Sequence, residues 1–416
     1  MKVWRWAVGA AAVISVGAVA GIGVTAQQQR AALTHAPAFE LTAPAPFVEP
    51  ASPAPIDATR RAAEIARLAA DPALGTFHAR ISSADSGEVI FDELSAEPLR
   101  PASTTKVLTA AAALLELGPA DTITTEVAEG ANPGEVVIKA SGDVWFDEDT
   151  LDRLAAEIGT ASAVYVDTSA WPAETLLPGW DPIDIDAGFV APLEPIMLHG
   201  GRIGATEGDV PRSHTPALDV AWALAERLGA GTADYGTAPA GAQVLASAES
   251  PDLATRLTAM MKDSDNVMAE AIGREVAAHR GGSSPQALLD VLAERGYDAH
   301  AATLADASGL STLNLIPPRL LDQLLLDAAR DAPLRPLLST LPVANGEGTL
   351  AERYATLAGR GWVRAKTGTL DETSALAGTV TSRQGNVYTF AFISNGSDIL
   401  EARRALDELA SALREF

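Results

Sequence analysis

The chain has 416 residues, 47% hydrophobic and 20% charged, which is enough to bury the cores of two or three domains and unlike a disordered composition. A formal net charge of −24 without a basic cluster excludes nucleic acid as a partner. The absence of cysteine excludes disulfides, Cys-ligated metals and thiol nucleophiles, and says little about compartment.

Taken in chain order, the first feature is an uncharged stretch at 6–26, preceded by Lys2 and Arg5 and followed by Gln27-Gln28-Gln29-Arg30. Its length is close to the ~20 residues that span a bilayer, while Val24-Thr25-Ala26 also suits the small-residue rule of a secretory cleavage site. Residues 1–26 therefore read as a signal peptide or membrane anchor. The positive-inside rule puts the chain beyond Gln27 outside the cytoplasm, secreted or tethered to the membrane. Residues 27–57 are rich in Pro and Ala without a period, the composition of an extended linker. Helical spacing begins at Ala58 in A-T-R-R-A-A-E-I-A-R-L-A, and two strands come next around the turn signal Asp85-Ser86-Gly87. The spacing predicts a helix over 106–117, closed by Gly118-Pro119.

Between 120 and 245 the sequence changes to short β-type segments (136–140, 163–166), frequent Pro and Gly and many acidic residues. This reads as a smaller domain inserted into one built from 58–119 and 246–416. Asp143, Asp147, Glu148 and Asp149 do not match an EF-hand loop and read as a solvated acidic face, not a metal site. Helices resume at Pro251 and Pro285, and strands at 362–366, 375–381 and 386–393 precede a last helix over 400–414. Three late strands and an early hairpin imply one antiparallel sheet completed by both ends of the chain, an α+β arrangement.

Three short stretches carry the chemistry. Ser103 and Lys106 sit three residues apart where the apolar run of the 106–117 helix begins, so hydroxyl and amine share one helix face. Burial lowers a lysine's pKa, and a lysine so tuned serves as a general base. Amide N–H groups at that helix start can meet a developing oxyanion. Alone, Ser-x-x-Lys equally describes an N-capping serine with a solvated lysine. Ser264-Asp265-Asn266 heads a later helix, and Lys366-Thr367-Gly368-Thr369 stands at the end of a strand. Each motif occurs once, and their order is that of penicillin-binding proteins and serine β-lactamases. In that setting Ser264 can relay a proton between Lys106 and a leaving nitrogen, and the Asn266 amide can hold a peptide-like substrate. Lys366 is a charge for a terminal carboxylate, Gly368 permits close backbone approach, and Thr367 and Thr369 add hydroxyls. The six histidines are scattered outside any triad or zinc-binding context, and no cofactor is implied.

Further stretches extend the likeness: A-D-A-S-G-L-S-T-L-N with Asp306, Ser308, Gly309, Leu310, Ser311 and Asn314, then L-P-V-A-N-G-E-G-T-L-A-E-R, K-T-G-T-L-D-E-T-S-A-L-A-G and F-A-F-I-S-N-G. With these the chain, over roughly 60–416, resembles the D-alanyl-D-alanine carboxypeptidase/endopeptidase family of the penicillin-binding protein 4 type, peptidase family S13. Val144 stands where that family usually has Pro, and the 161 positions from Ser103 to Ser264 are few for it. The resemblance implies a β-lactamase/transpeptidase-like domain, with a five-stranded antiparallel sheet flanked by helices. It implies peptidoglycan stem peptides as substrate and β-lactam antibiotics as acylating ligands. A serine β-lactamase or esterase on the same fold, and a non-catalytic wall-binding or β-lactam-sensing protein, are the alternatives the sequence leaves open.

Overall fold

The structure, a computed structural model, describes residues 2–32 and 58–416. They fall into two units, and positions 33–57 of the expected 27–57 linker lie outside the described residues. The N-terminal unit is a helix, Lys2–Ala31, whose segment Gly9–Ala31 has a mean hydropathy of 1.9 and is long and apolar enough to cross a membrane. Thr25 Oγ1 donates to the Gly21 and Ile22 carbonyls, so its hydroxyl needs no water. The helix continues through Gln27-Gln28-Gln29-Arg30, where a linker was expected to begin, because none of these residues interrupts the i to i−4 ladder.

In the second unit, a five-stranded sheet runs in the order Val363–Leu370, Thr373–Thr381, Val387–Asn395, Thr76–Ser83, Val89–Glu93, all antiparallel. The first strand of the chain thus pairs with the last, as expected from the sequence. Alternation along the strands sorts side chains by size. Ala375, Ala377 and Ala391 join a core with the helices Thr105–Glu116, Asn266–Arg280 and Pro318–Arg330. The intervening Leu376, Phe390 and Phe392 join a second core with the terminal helix Ile399–Ala412 and with Ile65 of Ala58–Ala69. Small residues on the first face let the helix Pro318–Arg330 lie close to the sheet, and every residue from Thr105 to Leu114 of the alanine-rich helix is buried. One polar link crosses that layer. Asp322, fully buried on Pro318–Arg330, accepts from Ser82 Oγ at 2.6 Å and Thr389 Oγ1 at 2.7 Å, on two adjacent inner strands.

A smaller sheet comes wholly from 124–249, in the order Ala233–Tyr235, Ala163–Asp167, Glu135–Lys139, Thr124–Glu129, Val244–Glu249. The first three strands are parallel, with the helices Glu148–Ile158 and Pro216–Leu228 in their crossovers and a core of their own. Its last strand runs past residue 245. We propose that the inserted segment ends in the turn 250–252, not at 245. Two features of the acidic stretch correct the expectation of a solvated face. Asp143 is 3% exposed, accepts from the Trp145 amide at 2.9 Å, and is pushed up to about 6 by burial. Asp147 caps Glu148–Ile158 by accepting from Thr150 N at 2.8 Å.

Replacing Asp322 with Ala leaves the Ser82 and Thr389 hydroxyls without their shared acceptor and removes one of the two carboxylates paired with Arg80. The expected cost is about 3 kcal/mol, read as a lower urea midpoint with an unchanged slope.

Candidate active site

The sheet's edge strand, the start of the central helix and the turn between two long helices meet at one cleft of about 570 Å³. Ser103 lies in a 3₁₀ turn, Ala102–Thr104, that leads into Thr105–Glu116. Thr104 Oγ1 donates to the Pro101 carbonyl at 2.7 Å, and Thr105 Oγ1 to that of Ala102 at 2.9 Å. Ala102 has φ +46°, an uncommon conformation for a residue with a Cβ. Gly309 packs against it so closely that a Cβ there would stand 1.9 Å from the Ala102 carbonyl oxygen, and its φ is +86°. Gly368 does the same from the edge strand, where a Cβ would fall 2.5 Å from the Pro101 carbonyl oxygen. The serine turn is thus clamped by two glycines.

Lys106 follows one turn along and is fully buried. Its Nζ bonds Ser103 Oγ at 3.0 Å, Asn266 Oδ1 at 2.8 Å and the Ser308 carbonyl at 2.9 Å. Burial lowers its pKa to about 7, against the weaker opposing pull of Asp306 and Asp265. Near neutrality a large share of the amines therefore carries a lone pair, and the Ser103 hydroxyl is the neighbour able to donate to it.

Ser264 and Asn266 flank the residue that positions both. Ser264 ends Leu253–Asp263 in the left-handed region, φ +58°. Asp265 then caps Asn266–Arg280, accepting from Met268 N at 2.8 Å. Its other oxygen accepts from Arg202 at 2.7 Å and Arg212 at 2.6 Å, both arginines of the inserted segment. Each arginine also donates to backbone carbonyls, of Gly208 and His199 or of Gly188 and Gly200. The two guanidinium groups hold the Asp265 carboxyl at about 2 despite its burial. Asn266 is completed by a bond from Nδ2 to the Phe189 carbonyl, 3.1 Å.

Lys366 lies inside Val363–Leu370, not at its end, and is fully buried. Its Nζ donates to Ser264 Oγ at 2.8 Å and to the Thr367 carbonyl at 2.9 Å. This corrects two expectations. Ser264 is bonded by Lys366, whereas the bonds of Lys106 go to Ser103, Asn266 and Ser308. The Lys366 amine, expected to face a carboxylate, is fully buried and outside the cleft lining, which at this strand is Thr367 and Thr369. Burial, then the nearby charges of Lys106 and Arg353, lowers the Lys366 pKa well below the usual lysine range. Ser103, Ser264, Asn266, Thr367 and Thr369 line the cleft together.

Five contributors took their role only from the structure. Asp265 appeared as the middle of a motif, not as its anchor. Arg202 and Arg212 carried only the signal of cations in an acidic segment. Arg403, on the terminal helix, donates to Thr369 Oγ1 at 3.1 Å and brings a cation to the cleft wall. Asp306, one of the motif residues, proves to be a hub. It accepts from the amides of Ser308, Gly309 and Ser311, from Asn314 Nδ2 and from Trp180 Nε1, and so fixes the loop whose Ser308 carbonyl meets Lys106.

Comparisons with known proteins give the chain's family and fold. The D-Ala-D-Ala carboxypeptidase 3 (S13) family model matches residues 61–210 and 209–415. Carboxypeptidase DacB of Mycolicibacterium smegmatis is 42% identical over 91% of each chain. A protein named a carboxypeptidase in Mycobacterium tuberculosis is 46% identical over 84% of this chain and 83% of its own. Among solved structures, penicillin-binding protein 4 of Haemophilus influenzae superposes with a TM-score of 0.70 at 21% identity, covering 84% of this chain and 99% of its own.

The Asp265 carboxyl is depressed from 3.8 to about 2, so its contribution to stability is present above about pH 4 and lost as pH falls through 2. Asp265→Asn, which strands two buried arginines, is expected to cost about 3 kcal/mol or more at neutral pH. The gap between wild type and variant, from urea titrations at a series of pH values, should close as pH falls from 4 toward 2.

Proposed function

Because the chain belongs to the D-Ala-D-Ala carboxypeptidase 3 (S13) family, we propose that it is an exported serine hydrolase of peptidoglycan stems ending in D-Ala-D-Ala. In this reading Ser103 attacks the carbonyl between the two D-alanines and Lys106 is its base. The observation that carries it is the buried Lys106 amine, 3.0 Å from Ser103 Oγ and lowered to about 7.

The proton path follows from the two buried lysines. Neutral Lys106 takes the proton of Ser103 as the new C–O bond forms. When the C–N bond breaks, Ser264 gives its proton to the departing nitrogen and regains one from Lys366, 2.8 Å away. Lys366 is depressed partly by charge on Lys106, so it holds its proton more firmly while Lys106 is neutral. In deacylation water attacks the ester, its proton returns through Ser264 to Lys366, and the Ser103 oxygen reclaims its own from Lys106. Asn266 orients the substrate amide, while Thr367 and Thr369, with Arg403 behind the latter, receive the terminal carboxylate. Gly368 lets the substrate-facing edge strand close on the serine turn. A cross-linked stem presents the same bond with a larger leaving group, which gives endopeptidase action. β-Lactams are ring-closed analogues of this amide and acylate Ser103 by the same path. The apolar helix at the N-terminus serves as a signal or anchor that places the cleft outside the cytoplasm.

The defining test is release of D-alanine from a stem pentapeptide, together with a penicillin adduct in the intact mass. Ser103→Ala is expected to lose both, and an adduct that persists in that variant overturns the assignment of Ser103. Lys106→Met should lower the second-order acylation constant by about 10² to 10⁴. In the wild type the same constant should rise with pH through about 7, as Lys106 gives up its proton. A profile that stays level between about pH 5 and 9 would remove Lys106 as the base.

A further inference from the structure

A second cavity, also of about 570 Å³, shares no lining residue with the Ser103 cleft. It lies along the same helix. Asn266, Glu270, Arg274 and Ala278 follow at four-residue steps, a single stripe. The first lines the cleft, and the other three line the cavity. Leu177, Pro178, Pro285 and Leu304 make much of its wall apolar.

Its polar lining comprises Glu174, Glu270, Ser283, Ser284 and one cation, Arg274, which is 92% buried. The guanidinium stacks on Trp171, 4.8 Å from the ring centroid. Nη2 makes a long bond to the Glu174 carbonyl, 3.3 Å. Nε is 3.8 Å from Glu270 Oε1, beyond hydrogen-bond range. Nη1 is buried and has no hydrogen-bond partner among the described residues. Glu270 does not fill that place, since its Oε2 is taken by the Ala307 amide at 3.0 Å. A guanidinium offers five donors in a fork that matches a carboxylate, and leaving a buried donor empty is costly. The cavity volume is that of a small-molecule site, and the flanking indole and aliphatic wall suit an apolar body.

We propose that this cavity is a second binding site, separate from the Ser103 cleft, for a small molecule that carries a carboxylate on an apolar body and docks the carboxylate on Arg274. Calorimetry on the full-length chain in lipid nanodiscs, with empty discs as the blank, tests it with 4-phenylbutyrate as the probe. Expected is one saturable site below about 10 mM, with 4-phenylbutanamide binding roughly tenfold more weakly or worse. Arg274→Gln should weaken the acid by a similar factor, and Thr369→Ala, in the Ser103 cleft, should leave it unchanged. The acid-to-amide ratio on the unaltered chain stands even if the arginine variant folds poorly. Equal binding of acid and amide, dependence on Thr369, displacement by inorganic phosphate or no binding at all would each overturn the proposal.

Discussion

The cleft depends on an amine that has been taken out of water without being given a counter-ion in contact. Lys106 meets a hydroxyl, a side-chain amide oxygen and a backbone carbonyl, all neutral. The carboxylates that act on it are committed elsewhere. Asp265 is held by two arginines, and Asp306 by amides and an indole. Either carboxylate in direct contact would have favoured the ammonium and raised the pKa. Held away, they leave desolvation as the winning effect, and the amine is poised near neutrality instead of far above it.

Such a site is expensive to fold, and the surrounding packing offsets the cost. Two residues with side chains, Ala102 and Ser264, adopt positive φ angles next to the reacting groups. Around them sit glycines that admit a backbone where no Cβ would fit, and a sheet face reduced largely to alanines, against which the helix Pro318–Arg330 and the serine turn lie. The tight fit fixes the Ser103 turn from two directions, from the edge strand through Gly368 and from the Asp306 loop through Gly309. Rotamer freedom at the serine is therefore limited before any ligand arrives, which is the structural content of preorganisation.

The inserted segment is bound into this arrangement, not appended to it. Arg202 and Arg212 reach from it to the capping carboxylate between Ser264 and Asn266, and the Phe189 carbonyl receives the Asn266 amide. A buried charge triad of this kind contributes little net stability compared with apolar packing, but it is intolerant of losing one member. Its value here is geometric: it fixes the turn that presents a hydroxyl to one lysine and an amide oxygen to the other.

Much of this was legible in the chain itself. Ser103 and Lys106 are neighbours because helical spacing makes them so, and the apolar run after them required burial. The late strands were legible as three short apolar segments, and pairing them with the early hairpin needed only that one sheet use both ends. The three motifs in order pointed to the family. Partnerships between distant residues were another matter. Ser264 and Lys366 are 102 positions apart, and nothing in either stretch says that this lysine, not Lys106, bonds that serine. The parallel strands of the smaller sheet and the burial of Asp143 depend on crossovers whose packing outweighs local composition. Local spacing is set by the covalent geometry of one helix or strand, so the sequence determines it. Which buried charge meets which partner is set by how separate elements stack, and only the tertiary structure decides that.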